Sequence, residues 1–139
     1  MSTGRSGDLT TEFLANDTFA VVGASSDRTK YGNKVLRAYL GAGMTATPIN
    51  PRAETVEGLP AFPSLSDLPQ VPDAVSIITP PTISVKVLEE GSHLGIKWFW
   101  LQPGAENDDC FELARNLGLQ LIAGGPCILV SLRFRESEE

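Results

Sequence analysis

Short apolar runs alternate with longer segments of helical periodicity along most of the chain. Five runs are short and apolar enough for buried strands. They are Phe19–Val22, Thr45–Ile49, Ala74–Ile78, Trp98–Leu101 and Leu119–Ala123. Apolar spacing between them predicts helices over Asn33–Ala42, Thr82–Leu94 and Asp108–Leu117. Strands that alternate with helices are typical of a parallel sheet. We therefore expect an α/β, Rossmann-like, doubly wound fold, a mostly parallel sheet of about five strands with helices on both faces.

The segment between Asn50 and Asp73 departs from this alternation because five prolines interrupt it. Leu59–Phe62 fits a short edge strand, where proline is tolerated. Ser66–Leu68 fits a single helical turn. Trp98 and Trp100 lie on one face of their strand, and burial under a helix is the expectation for that face. An uncovered aromatic face would instead indicate a dimer surface, so the sequence leaves a homodimer open.

The chain has the length of one domain. We expect a flexible leader over residues 1–12, the Rossmann-like domain over residues 13–133 and an acidic tail over residues 134–139. Hydrophobic residues make up 42% of the chain and charged residues 20%, which is typical of a globular protein. The net charge of −6 without a basic stripe argues against nucleic acid as a partner.

No segment has the apolar length of a membrane span, and the first residues contain no apolar core of a signal peptide. The two cysteines, Cys110 and Cys127, are too few for a disulfide framework and too far apart for a metal motif. We expect a cytoplasmic protein with no membrane partner, no metal and no catalytic residues, since no nucleophile–base or paired-carboxylate arrangement is visible. Cys110 lies on an apolar helix face, where a core position is expected.

The stretch Phe19–Gly32 is the strongest candidate for chemistry. Its apolar run ends in Gly23, a small polar loop follows, and a helix opens near Tyr31. Such a loop presents backbone N–H groups at the positive end of a helix dipole, where a phosphate is the usual occupant. An ordinary βα turn without a ligand is the alternative.

Ligands of open parallel sheets bind beyond the carboxyl ends of the strands. The residues that follow the strands are therefore one candidate set. They are Gly23, Ala24, Ser25, Ser26, Arg28, Tyr31, Gly32, Asn50, Pro51, Arg52, Thr79, Pro80, Pro81, Gln102, Gly104 and Cys127.

A dinucleotide cofactor is not favoured by the first loop, because the glycine after Gly23 is Gly32 and the G-x-G-x-x-G pattern is absent. The second strand ends in Asn50, Pro51 and Arg52 rather than in an acid. An arginine suits a phosphate on the ribose, which both NADP and coenzyme A carry. Arg52 alone does not separate the two, and an unpartnered surface arginine is the third interpretation.

Five motifs together resemble the CoA-binding domain of the succinyl-CoA synthetase α subunit, and in particular its small stand-alone versions. They are VVGASSDRTKYGN (21–33), TPINPR (47–52), SIITPP (76–81), KWFWLQPGAEN (97–107) and GGPCILV (124–130). The resemblance implies a domain that binds coenzyme A, with the phosphates on the first loop.

The resemblance also implies roles for single residues. Gly23, Ser25, Ser26 and Arg28 would contact the phosphates, and Arg52 the nucleotide. The turn of Thr79, Pro80 and Pro81 would line the adenine or the pantetheine, and the turn of Gln102 and Gly104 would lie near the thiol arm.

Two further residues have open interpretations. Tyr31 either stacks on the adenine or packs over the loop. Cys127 either meets the thiol of coenzyme A in a mixed disulfide or is a small buried hydrophobe. We expect a protein that binds coenzyme A or a short acyl-CoA as a non-catalytic carrier, sensor or regulatory module. An NADP-dependent oxidoreductase and a ligand-free interaction module are the alternatives.

Overall fold

The structure is a computed structural model that describes residues 6–135. Its main sheet has five strands in the order β2-β1-β5-β6-β7, and every neighbouring pair is parallel. The strands are β1 (Thr18–Val22), β2 (Thr45–Ile49), β5 (Ala74–Ile77), β6 (Trp98–Leu101) and β7 (Gln120–Ile122), with a small hairpin of β3 (Thr55–Val56) and β4 (Leu59–Pro60). The helices are α1 (Ser6–Leu14), α2 (Tyr31–Gly41), α3 (Pro81–His93), α4 (Asp108–Leu117) and α5 (Ile128–Ser131). The predicted Rossmann-like fold is confirmed.

The two faces of the sheet are covered by different helices. In β1, Phe19 and Val21 pack in one core with side chains of α1, α2 and α5. Ala20 and Val22 pack in a second core with side chains of α3 and α4. Successive side chains of a strand point to opposite faces, so a strand that is apolar throughout serves both cores.

The aromatic strand β6 is covered by a helix that the sequence analysis did not assign. Trp100 is fully buried, and the Phe13 ring of α1 meets it edge-on at 5.3 Å between centroids. Helix α1 begins at Ser6, inside the segment expected to be a flexible leader. Leu9 and Phe13 are four residues apart, on the same face of the helix, and both pack on this core. Residues 1–5 of the expected leader and residues 136–139 of the expected tail lie outside the described residues.

The proline-rich segment between β2 and β5 contains more short elements than predicted. Thr55–Val56 and Leu59–Pro60 form an antiparallel hairpin, and its turn has Glu57 at φ 51° and Gly58 at φ 79°. The expected edge strand Leu59–Phe62 therefore belongs partly to this hairpin. Phe62 alone joins the main sheet, where its N–H donates to the Pro48 carbonyl at 3.2 Å. The predicted helical turn at Ser66–Leu68 is a 3₁₀ turn over Leu65–Asp67.

The strand order opens a crevice at one point of the sheet. The chain leaves β1 through α2 toward β2, and it leaves β5 through α3 toward β6 in the opposite direction. Neighbouring strands whose connections diverge leave room for a ligand beyond their carboxyl ends. In this sheet those strands are β1 and β5. Among residues 6–135, no helix combines the length and apolar character needed to cross a membrane.

Candidate functional site

The loop between β1 and α2 depends on two glycines that lie against neighbouring backbone. Gly23 has φ 94°, and a Cβ there would collide with the Ile78 carbonyl oxygen. A Cβ on Gly32 would collide with the carbonyl oxygen of Gly23 itself. The first turn of α2 therefore lies directly over the end of β1, closer than a residue with a side chain allows.

Side chains bind the loop carbonyls from beneath. Asn50 Nδ2 donates to the Ala24 carbonyl at 2.8 Å, and Asn33 Nδ2 donates to the Ser25 carbonyl at 2.8 Å. Within the described part of the chain, the N–H groups of Ala24, Ser25 and Ser26 have no hydrogen-bond partner. No side chain caps the start of α2 at Lys30 either. The outer side of the loop therefore presents hydrogen-bond donors, as an anion site requires.

The loop forms one wall of a cleft of about 540 Å³, which we call the loop cleft. Its lining comes from the carboxyl ends of β1, β2 and β5 and from the start of α2. The residues are Gly23, Ala24, Ser25, Thr29, Lys30, Tyr31, Gly32, Asn50, Pro51 and Ile78.

A second cavity of about 320 Å³, which we call the Cys127 cavity, is lined by Tyr31, Ile78, Gln102, Pro103 and Cys127. Tyr31 and Ile78 line both spaces, so the loop cleft and the Cys127 cavity adjoin at these residues. Seven predicted residues meet in the loop cleft. Gln102 and Cys127 meet in the cavity, where Tyr31 joins them.

Tyr31 lies at this junction with 61% of its surface exposed. The Lys34 ammonium lies 5.4 Å from the centroid of its ring. An exposed ring with one face held by a cation is suited to stacking on a planar group.

The other predicted residues lie outside the linings of these two spaces. Arg28 forms an ion pair with Glu57 of the β3–β4 turn at 3.2 Å. Ser26 is exposed on the same loop. Gly104 is exposed in the turn after β6, and its N–H donates to the Glu106 carboxylate at 2.9 Å.

The Thr79 turn leads into helix α3. The Thr79 and Ser84 hydroxyls are 2.8 Å apart, and Pro80 and Pro81 occupy the N-cap and first positions of the helix. Proline is suited to the first helical turn because no N–H is needed there. Ile78, one residue earlier, is the member of this segment that lines the cleft.

Arg52 follows the lining residue Pro51 and is exposed. Its backbone N–H donates to the Asn50 side-chain oxygen at 2.7 Å. Within residues 6–135 its guanidinium makes no hydrogen bond or ion pair. The structure thus holds the backbone at this position and leaves the side chain available.

The Cys127 thiol is fixed by a buried amide. Gln102, 3% exposed, donates from Nε2 to Cys127 Sγ at 3.3 Å and accepts the Ile128 N–H at 2.8 Å. The Trp100 indole N–H donates to the Pro126 carbonyl at 3.0 Å, which holds the same loop from the other side. Cys127 is therefore half-buried and held at the cavity wall. Cys110 is fully buried, as expected, and burial raises the pKa of its thiol.

Sequence reasoning missed a buried network beneath the loop. Asn33 is fully buried and Arg37 is 6% exposed, and Arg37 Nε donates to Asn33 Oδ1 at 2.6 Å. Arg37 also donates to the Arg28 carbonyl at 3.0 Å, and Asn33 donates to the Glu57 carboxylate at 2.9 Å. The only available signal was a polar residue and an arginine one helical turn apart on the buried face of α2.

Asp27 closes the loop on its exposed side. Its carboxylate accepts hydrogen bonds from the hydroxyl and the N–H of Thr29, and these bonds lower the pKa of Asp27. The carboxylate is thus ionised at neutral pH and occupied by Thr29.

A third cavity of about 330 Å³ lies at the opposite, amino end of β1 and β2. Its lining combines threonines at the strand starts with the proline-rich segment 68–72 and contains no charged side chain. It offers nothing to balance a phosphate. No cluster of three or more metal-binding side chains occurs in the part of the chain that the structure describes.

A parallel sheet with a glycine-bounded donor loop at its crevice defines a Rossmann-like ligand-binding domain. Residues 17–133 match the family described as the CoA binding domain, and the chain belongs to that family. The predicted family relationship is confirmed.

Relatives of known name support this relationship. The chain is 31% identical over 119 residues to acetate–CoA ligase (ADP-forming) I of Archaeoglobus fulgidus, which covers 78% of this chain and 17% of the ligase. It is 29% identical over 122 residues to the α subunit of acetate–CoA ligase (ADP-forming) II of Pyrococcus furiosus, covering 78% of this chain and 26% of the subunit. The chain thus spans about a quarter or less of these curated relatives.

A solved structure of similar size shares the fold. A conserved hypothetical protein of Pyrococcus furiosus is 34% identical and superposes with a TM-score of 0.78. The match covers 82% of this chain and 97% of the other.

The contact between Gly32 and Gly23 predicts a strong effect of one methyl group. Gly32→Ala should lower the free energy of unfolding by more than about 2 kcal/mol, because its Cβ meets a backbone oxygen that cannot move alone. Gly41→Ala, in the same helix with no atom within 4 Å of its Cβ, is the control and should leave stability unchanged or raise it by up to about 1 kcal/mol. Urea unfolding measures both. Equal stabilities of the two variants would contradict the close approach.

Proposed function

We propose that this chain binds coenzyme A, free or as a short acyl-CoA, at the carboxyl ends of its strands, as a non-catalytic carrier, sensor or regulatory module. The observation that carries the proposal is that the loop cleft and the Cys127 cavity adjoin, since Tyr31 and Ile78 line both. Coenzyme A needs an anion site at one end and a largely neutral groove at the other. The two adjoining spaces differ in this way.

The anion end fits the loop cleft. Unpartnered N–H groups at Ala24, Ser25 and Ser26 suit the diphosphate, and Lys30 adds a positive charge to the lining. The chain as a whole carries a net charge of −6. The hydrogen-bond donors and the positive charge of the loop cleft therefore contrast with the negative charge of the protein. Tyr31 at the junction is placed to stack on the adenine or to pack against the arm.

The neutral end fits the Cys127 cavity. None of its five lining residues is charged, and its polar groups are the Gln102 amide and the Cys127 thiol. The pantetheine arm is neutral apart from its amides, which accept and donate hydrogen bonds of this kind. The arm would bring the thiol or acyl group toward Cys127.

Arg52 is assigned to the 3′-phosphate of the ribose. Its side chain is exposed beside the lining residue Pro51, and its backbone is held by Asn50. A planar guanidinium binds phosphate through two parallel hydrogen bonds. The names of the two ligase relatives include CoA, which supports this ligand over a nicotinamide cofactor.

Thermal unfolding with coenzyme A, acetyl-CoA, NADP, NAD and ATP in parallel tests the ligand. A ligand at 100 times its dissociation constant stabilises by about 2.7 kcal/mol, which is several degrees for a domain of this size. We expect a rise with coenzyme A or acetyl-CoA and none with the nicotinamides. A rise with NADP alone would favour an oxidoreductase, and no rise with any ligand would favour an interaction module.

Removing the Arg52 guanidinium should weaken coenzyme A by about 1.5–3 kcal/mol, because a charged hydrogen-bonding partner is lost. The same Arg52→Ala variant should bind 3′-dephospho-CoA as the wild type does, because that ligand has no phosphate for Arg52. Arg115→Ala, an exposed arginine in the last turn of α4, is the matched control and should change neither affinity. Isothermal titration calorimetry measures all six affinities. An equal loss for both ligands would exclude the assigned role of Arg52.

A further inference from the structure

The amide groups of Asn50 and Asn33 are each held in one orientation by a partner on the oxygen side. Asn50 Oδ1 accepts the N–H groups of Arg52 and Ala53 at 2.7 and 3.1 Å. Asn33 Oδ1 accepts from Arg37 Nε at 2.6 Å. Arginine has no acceptor, so its contact requires the oxygen of Asn33 on that side. Both Nδ2 groups are therefore directed at the loop.

Each Nδ2 group binds one carbonyl of the loop, and successive carbonyls are bound by different elements. Asn50, after β2, binds the carbonyl of Ala24, and Asn33, in α2, binds the carbonyl of Ser25. Peptide bonds in the described chain are trans. In a planar trans peptide the C=O and the following N–H point in opposite directions.

Binding the Ala24 carbonyl therefore turns the Ser25 N–H away from Asn50. Binding the Ser25 carbonyl turns the Ser26 N–H away from Asn33. Asn33 is fully buried, so the opposite direction is the outer side of the loop. Neither N–H has a partner within residues 6–135.

We propose that Asn33 and Asn50 are positioning residues that fix the Ser26 and Ser25 N–H groups for phosphate, and that Arg37 sets the orientation of Asn33. This inference rests on the proposed binding of coenzyme A. It assigns a function to two residues of α2 that touch no ligand, and it changes the role of Asn50 from a ligand contact to a support of the loop. The rest of the loop has its own bonds, since Thr29 and Asp27 bind each other.

Nuclear magnetic resonance of the ¹⁵N-labelled protein tests the assignment residue by residue. The ligand is 3′-dephospho-CoA, which lacks the phosphate assigned to Arg52. Asn50 holds the Arg52 backbone, so with this ligand a displacement of Arg52 in the Asn50 variant does not affect binding. In the wild type the Ser25 and Ser26 amide signals should both shift on saturation. Asn33→Ala should lose most of the Ser26 shift and keep the Ser25 shift, and Asn50→Ala should do the reverse. Each variant is the control for the other.

The affinity should fall about 10-fold in each variant, the loss expected for one hydrogen bond to a charged group. Arg37→Lys is the second variant in case Asn33→Ala does not fold, because it leaves Asn33 in place and removes the Nε contact that orients the Asn33 amide. Arg37→Lys should weaken the Ser26 shift and leave the Ser25 shift intact.

The possible failures are distinguishable. If the wild type shows no shift with coenzyme A or with 3′-dephospho-CoA, the proposed function is wrong. If the wild type binds and Asn33→Ala keeps its Ser26 shift with an affinity within about twofold, the positioning role is wrong. If either variant loses both shifts equally, the asparagines hold the loop only as a whole, and the residue-by-residue assignment is overturned.

Discussion

The site depends on the close approach of two backbone segments, the end of β1 and the start of α2. Gly23 lies against the carbonyl of Ile78, and Gly32 lies against the carbonyl of Gly23. A side chain at Gly32 would move α2 away from the end of β1, and a side chain at Gly23 would push that end away from Ile78, which follows β5. Because the loop between them is short and its ends are fixed, its N–H groups stay on the outer side. One wall of the crevice between β1 and β5 is therefore lined by backbone N–H donors of this loop.

Buried polar side chains maintain this geometry. They are compatible with a stable core because their polar groups are hydrogen-bonded. Asn33 and Arg37 are nearly inaccessible to water, and each finds hydrogen-bond partners. A buried polar group without partners costs about 1–3 kcal/mol, so such a network is stable only when it is complete. The Glu57 carboxylate completes it from the β3–β4 turn. The proline-rich segment, which interrupts the strand–helix alternation, thereby contributes to the site.

The sequence predicted the main sheet well because buried parallel strands are short apolar runs with few alternatives. The helix Asp108–Leu117 was predicted with its observed bounds, since its apolar spacing is regular and Gly118 ends it at φ 69°. Helix α1 was missed because its apolar residues are few, namely Leu9, Phe13 and Leu14. Its stability comes from covering Trp100, a contact between distant parts of the chain that no local pattern reveals.

The sequence predicted which strand ends meet at the candidate site, but not the side chains that hold its loop in place. Backbone order alone brings Gly23, Asn50 and Gln102 to one edge of the sheet, so strand ends predicted them. The ion pair of Arg28 with Glu57 depends on the β3–β4 turn, which no local sequence pattern indicated, and the expected contact of Arg28 with the phosphates stays a prediction. Asn33 was noted only as part of a motif. The hydrogen bond from Arg37 that orients the Asn33 amide is visible only in the structure.

The most direct test of the account is a crystal structure of the protein grown with coenzyme A. The account predicts the diphosphate within about 2.7–3.2 Å of the Ser25 and Ser26 nitrogens, with the thiol arm in the Cys127 cavity. Coenzyme A in the cavity at the amino ends of β1 and β2, or bound with its thiol at the loop, would contradict it.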